Sequence, residues 1–395
     1  MSTEKIKGNK VAATLFVGVG GIGSKIIREV SELAKNDDLS KARFVILDTD
    51  VNDLSKADGD INITAIQTSS PRTIRDYLIQ DDDAREEWFP NNMIINGKTV
   101  SEGAGQVRAI SRLALNATIK TGRIKPLYRA IDDLYDKDGS DKRQTVKIII
   151  ASTVAGGTGS GIAMIVAMLI RNYITENYPD SSAIIRGFML MPGVMDTVNP
   201  ATTEKLSLQR NGYATIKEIN AFMMRPFFEA VPELRRYLDL NVEVPNAVGG
   251  IEKLTCSPFD FCFLFDRTDE NVSNMASLDQ YRSYAAHSIY EQCIGPMSNS
   301  AASKEDNIHK EFLDDQKLSR IRFGGAGAAV VRYPYEQIRD YIAYDWIEKQ
   351  LVGISSENAT EEQRKAMVAN SWLVYDKDFY EREKAFRKDP FAAAT

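Results

Sequence analysis

Apolar runs alternate with helical periodicity along the first two-thirds of the chain. "VAATLFVGVG" (11–20) is a continuous apolar run ending in glycines, and "SKIIREVSELAKN" follows with apolar residues at helical spacing. "ARFVILDTD" (42–50) is a second apolar run that closes on Asp48 and Asp50, and "ITAIQT" (63–68) predicts a short strand. Residues 71–100 are irregular, with Pro71, Pro90, an acidic cluster at 81–87 and the turn sequence "NNMIING". Helical spacing returns in "GAGQVRAISRLALNATI" and over 124–136. The turn "KDGSDKRQ" leads into the strand "VKIIIAS", then a glycine loop with a long helix (155–170), then the strand "SAIIRGFMLMPG". Further on come an amphipathic helix (203–224), the buried strand "PFDFCFLFD" and the helix "ASLDQYRSYAAHSIYEQCI".

Strands alternating with helices from 11 to 265 predict an α/β domain with a doubly wound, mainly parallel sheet over 1–274. A central helix at 275–294 follows. Residues 295–395 form a smaller, more helical C-terminal region, with a polar loop at 295–317 and one glycine-containing strand, "RIRFGGAGAAVVRYP". The abrupt ending "FAAAT" leaves room for a further C-terminal portion.

Composition narrows the classes. The 395 residues are 43% hydrophobic and 26% charged, which is the balance of an ordinary globular protein. A net charge of −6 with both signs interspersed argues against a nucleic-acid binder. Three cysteines and two histidines show no metal-ligand spacing, so a reducing cytoplasm fits better than a disulfide framework. The start "MSTEKIKGNK" is polar, and "GIAMIVAMLI" is too short to span a bilayer.

Chemistry concentrates in four loops that follow predicted strands: "GVGGIG" (18–23), "LDTD" (47–50), "EGAGQ" (102–106) and "AGGTGSG" (155–161). In a parallel sheet these fall at the carboxyl edge, where ligands bind. Each glycine loop opens a helix, whose first-turn N–H groups attract an anion. No Walker lysine is present, so several helix termini and a cation would share the phosphate charge. Taken singly, "GVGGIG" fits a dinucleotide fold, the adenylating domain of ubiquitin-activating-type enzymes, or plain helix–strand packing.

In combination the loops resemble the tubulin/FtsZ superfamily, most closely its divergent bacterial tubulin-like branch. "AGGTGSG" is similar to the signature "GGGTG[ST]G", "FVGVGGIGSK" to the first nucleotide loop, "LDTD" to "NTD", and "EGAGQVRAISR" to "GAGANPxxGR". The resemblance implies GTP/GDP and Mg²⁺ as cofactors. Gly20, Gly21 and Gly23 would approach the α- and β-phosphates, and Asp48 or Asp50 would face the metal. Ala104 and Gly105 would border the γ-phosphate, while Gly156, Gly157, Thr158, Gly159 and Ser160 wrap the phosphates. Glu204 would reach the ribose and Lys205 the phosphates, with Asp266 and Asp279 toward the base. It also implies head-to-tail self-assembly, in which carboxylates after the central helix act on the neighbouring subunit's nucleotide. Asp306, Asp314 and Asp315 are the candidates, with Glu311 a further choice, and accessory proteins are further partners.

Two departures bear on this reading. Lys25 occupies the place of a base-contacting asparagine of FtsZ, and 295–317 does not keep the "NxDxxD" pattern. The alternatives are a GTP-bound scaffold without turnover, or a module of a larger chain. A Rossmann or adenylating enzyme is the third reading. "VNDLSKADGD" lacks the arginines such adenylators carry, and there is no Cys-x-x-Cys pair.

Overall fold

The longest apolar runs become strands buried on both faces. In the computed structural model the strands are β1 (Thr14–Val19), β2 (Ala42–Asp48), β3 (Ile63–Gln67), β4 (Thr145–Thr153), β5 (Ser182–Leu190), β6 (Val242–Pro245), β7 (Ile251–Leu254), β8 (Phe261–Phe265) and β9 (Phe323–Gly325). The helices are α1 (Gly20–Leu33), α2 (Val51–Ser55), α3 (Ile74–Ile79), α4 (Arg108–Lys120), α5 (Lys125–Asp132), α6 (Thr158–Asn177), α7 (Thr202–Met223), α8 (Arg225–Ala230) and α9 (Leu278–Cys293). The structure describes residues 11–55, 63–69, 72–79, 81, 84–90, 95, 97–100, 103–135, 145–198, 200–246, 249–267, 277–295, 297–298, 322–326, 338–346 and 360–362.

Seven strands form one sheet in the order β3-β2-β1-β4-β5-β8-β9, and every neighbouring pair is parallel. Parallel sheets need cover on both faces, which is why their strands read as continuous apolar runs. Alternate residues of β1 divide accordingly. Leu15, Val17 and Val19 join α4, α5 and α6 in one core, whereas Phe16 joins α1 and α9 in the other. Helix α6 is buried along most of its length, so its nearly unbroken apolarity reflects the core. Among the described residues no helix is long and apolar enough to cross a membrane.

An ion pair ties α6 to the sheet. Arg171 donates to Asp260 Oδ2 (2.8 Å) and to the Ser257 carbonyl (2.7 Å), and the same carboxylate oxygen accepts from Ile185 N–H (2.8 Å). Both side chains are mostly buried, so Arg171→Ala should lower stability by about 3 kcal/mol, measured by urea unfolding.

Three elements depart from the sequence pattern. Helix α3 and a π-helical turn at Ala84–Trp88 lie within the stretch that reads as irregular, pinned by a bridge between Thr73 and Thr99. The β6–β7 hairpin, a separate antiparallel pair, has no strong signal in the sequence. Of the glycine-containing strand, the described residues 322–326 hold β9.

Two compact units divide the chain at Ala328. The first holds the whole sheet and the central helix α9. The second, Ala329–Thr395, is described only at 338–346, which is helical, and at 360–362.

Candidate functional site

Strand order places the site. From β1 the chain steps outward through β2 and β3, then returns to β4 on the other side of β1 and steps the opposite way. The β1/β4 boundary is therefore a topological switch point, where helices leave on opposite faces and a crevice opens beyond the carboxyl ends. The loops after β1 and β4 meet there. Gly20 has φ +76°, and a Cβ on it would lie 3.0 Å from the Gly159 nitrogen.

The glycines divide into two kinds. Gly23, Gly159 and Gly161 serve packing: an added Cβ would collide with the Ala151 carbonyl and would sit 2.7 Å from the Thr153 carbonyl and 2.6 Å from the Arg108 carbonyl, respectively. Gly157 lets the third loop in, because its Cβ would lie 2.9 Å from both Ala104 Cβ and the Gln106 nitrogen. Gly156 differs, being part-exposed with only the Thr153 methyl near it, at 3.5 Å.

The glycine-rich loop is held by its carbonyls. Ser111 Oγ donates to Gly157 O (3.0 Å), while Arg108 Nε and Thr215 Oγ1 donate to Ser160 O (3.1 and 3.2 Å). By contrast, the N–H groups of residues 156–160 find no acceptor among the described residues. Helices α1, α4, α6 and α7 all begin without a side-chain cap, whereas Ser277 caps α9. Uncapped N-termini gathered at one edge leave unsatisfied donors and positive dipole ends toward the crevice.

Asp48 supplies the opposite charge. It is 2% exposed, and its Oδ1 accepts from Asp50 N–H (3.1 Å), while its buried Oδ2 has no partner among the described residues. Burial pushes the carboxyl up to about 6; the Asp50 and Thr49 backbone bonds oppose this, and the Asp53 and Asp50 charges add to it. The side chains of Asp53 and Asp48 lie next to Gly21, and Lys25 stands 3.9 Å from Asp53. Among the described residues no three carboxylate, histidine or cysteine side chains gather as a metal-binding group; what fits a hard cation is the single buried oxygen Asp48 Oδ2, with phosphate and water as its other ligands. Between the acids, Thr49 Oγ1 lies 2.7 Å from Thr158 Oγ1, which joins the second loop to the glycine-rich loop.

The third loop is tightly coiled, with Gly103, Gly105 and Gln106 all at positive φ. Ala104 is buried against Gly157, and Asp50 borders Gly103. Glu204 accepts from Gln106 Nε2 (2.6 Å), and Lys205 pairs with Asp196 (2.9 Å) in the turn Pro192–Val198. Asp266 lies over Gly193 of that turn, and Asp279 is exposed and paired with Arg282. Asp306, Glu311, Asp314 and Asp315 lie outside the described residues.

A family model described as "Tubulin like" matches residues 15–352. The chain belongs to the Tubulin-like family. No curated protein sequence matches it. Among solved structures it is similar to CetZ from Methanosaeta thermophila, at 14% identity over 80% of this chain and 61% of that one, with a TM-score of 0.41. CetZ2 from Haloferax volcanii, a GTPγS-bound protofilament, matches at 13% identity over 70% and 57% (TM-score 0.34). FtsZ of M. jannaschii matches at 14% over 85% and 62% (TM-score 0.33). The chain spans less than two-thirds of each of these three. Superpositions this loose add nothing to the sequence match, which carries the assignment.

In this tubulin-like chain several site residues have partners that no sequence motif names. Thr49 and Ser111 lie inside the quoted loops "LDTD" and "EGAGQVRAISR", but nothing in those stretches names Thr158 or Gly157 as their partners. Asn211 on α7 had a readable signal, since Asn211–Gly212 sets two poor helix formers side by side inside a 22-residue helix. The reason is tertiary: a Cβ on Gly212 would collide with the Pro192 ring, and Asn211 faces two loops at once.

Proposed function

We propose that the chain binds GTP with Mg²⁺ in the β1/β4 crevice, self-assembles head to tail, and hydrolyses GTP at the subunit interface. The observation that carries the reading is the buried, partnerless Asp48 Oδ2 set among uncapped helix N-termini, a charge arrangement complementary to a cation–phosphate pair. The N–H groups of 156–160 and of the first turn of α1 would hold the phosphates, with Thr158 and Ser160 hydroxyls beside them. Ala104 and Gly105 would meet the γ-phosphate. Asp48, with Asp50, would hold Mg²⁺, which neutralises phosphate charge. Asp266 would accept from guanine N1–H and N2–H₂, and Asp279 would do so only by exchanging its present partner, Arg282. Glu204 and Lys205 would reach the nucleotide only by exchanging their present partners, Gln106 and Asp196.

Transfer of the γ-phosphoryl group to water needs positioning and charge stabilisation, without a covalent nucleophile. Asp306, Asp314 and Asp315 would supply the carboxylates that orient the water in the neighbouring subunit. A head-to-tail contact is heterologous and propagates into a filament. The three free thiols, Cys256, Cys262 and Cys293, suit a reducing compartment such as the cytoplasm.

Phosphate release and sedimentation, followed together over a protein concentration series with GTP and Mg²⁺, test the reading. Specific activity should rise with concentration as pelletable polymer forms, and fall when Asp306, Asp314 or Asp315 is replaced. Stoichiometric bound nucleotide without phosphate release would replace turnover with a GTP-bound scaffold. Preference for NAD or ATP over GTP would overturn the assignment of the site.

A further inference from the structure

Asn211 joins two loops that are far apart in sequence. Its Nδ2 lies 2.9 Å from the Gln106 carbonyl and 3.0 Å from the Ala155 carbonyl, with Gly156 O at 3.5 Å. One amide nitrogen carries two N–H bonds, so it can serve one carbonyl in each loop. Gln106 is a non-glycine residue at φ 64°, a conformation that an L side chain rarely adopts. Three contacts hold it there: Asn211 on its carbonyl, Glu204 on its side chain, and Gly157 against its backbone nitrogen. Both α7 residues of this bridge, the donor Asn211 and the acceptor Glu204, stand on a helix that is itself seated on the Pro192–Val198 turn through Gly212 and the Lys205–Asp196 pair.

We infer that Asn211 is a positioning residue that makes the third loop (103–107) and the glycine-rich loop (154–157) move as one body. The site thereby discriminates a nucleoside triphosphate from a diphosphate. This rests on reading the crevice as the GTP site. Only the third loop would meet the γ-phosphate, whereas the glycine-rich loop would hold phosphates common to both nucleotides. The Asn211 bridge passes the presence of the γ-phosphate from the first loop to the second. It passes the same signal to α7 and the turn beneath it.

The chemistry demands a donor. Asp in place of Asn keeps the shape but sets a carboxylate against two carbonyl oxygens, so Asn211→Asp should be worse than Asn211→Ala. A packing role predicts the reverse order, because alanine removes volume and aspartate does not.

The test has two arms on the full chain. In the first, hydrogen exchange of the nucleotide-free protein follows segments 103–107 and 154–157. Exchange in both should rise together in Asn211→Ala and rise further in Asn211→Asp, with the strands of the sheet unchanged. Change in one segment alone, or the reverse order of the variants, overturns the bridge. In the second, GTPγS and GDP affinities are measured with Mg²⁺. The GTPγS/GDP preference should fall about tenfold in Asn211→Ala, the effect of losing one to two hydrogen bonds. An unchanged preference in a variant that binds both nucleotides overturns the discrimination. Wild-type protein that binds neither nucleotide overturns the GTP reading instead, while the exchange arm still decides the bridge.

Discussion

Asp48→Asn is expected to stabilise the protein when nucleotide and cation are absent, and to abolish stabilisation by GTP and Mg²⁺ when they are present. The carboxyl is raised from 3.8 to about 6, chiefly by burial, so the folded chain holds its proton over a range in which the unfolded chain has released it. Between those values the native state binds more protons than the unfolded state, and stability falls as pH rises. This contribution is least unfavourable below about pH 4 and costs about 3 kcal/mol above about pH 6. Asparagine removes the charge and keeps an oxygen for Asp50 N–H. Urea unfolding near pH 7.5 should therefore show a gain of about 1–3 kcal/mol that vanishes near pH 4. With GTP and Mg²⁺ the order should invert: wild type gains stability by mass action and the variant does not. A variant that is less stable than wild type at pH 7.5 without ligand would contradict the electrostatic account. One that still gains fully from GTP and Mg²⁺ would remove Asp48 from the cation site.

Gly159→Ala and Gly156→Ala should separate folding from binding within one loop. A methyl at 159 meets the Ser152 hydroxyl and, at 2.7 Å, the Thr153 carbonyl, the end of a central strand. Ser152 is not free to swing aside, because its hydroxyl donates to the Val19 carbonyl (2.9 Å) at the end of β1. Overpacking at such a junction should cost about 3 kcal/mol, read as a lower urea midpoint. Gly156 has space for a methyl and lies outside the left-handed region, so Gly156→Ala should fold with wild-type stability or slightly better. Its effect should appear in GTP affinity, as a loss of at least about tenfold, because a Cβ keeps the backbone away from phosphate oxygens. Equal unfolding midpoints for the two variants would refute the division of the glycines. Unchanged GTP affinity in Gly156→Ala would take that residue out of the cradle.

The elements that carry the site were legible because their signals are local. A strand buried on both faces is apolar at nearly every position, as in 15–19 and 148–151, and a glycine turn between such a strand and a helix is conspicuous. The β6–β7 hairpin and α3 were obscured because short, half-exposed segments have little periodicity, and packing against α4 and the core decides their state. Within the site, carboxylates at the end of β2 could be found from spacing. Their inequality could not: Asp48 and Asp50 are two residues apart, yet only Asp48 is buried with an oxygen unpaired.

The sequence by itself determined the alternation of strands and helices, the loops that lie at the carboxyl edge and the family to which those loops belong. All of these depend on residues near one another in the chain. Only the tertiary structure decided which glycines serve packing and which stand open, because a Cβ clash depends on what another segment brings within about 3 Å. It alone paired Glu204 with Gln106, Lys205 with Asp196 and Asn211 with two loops. The physical reason is that hydrogen bonding and burial are set by partners that can lie more than 100 residues away, and a side chain's own type does not name its partner.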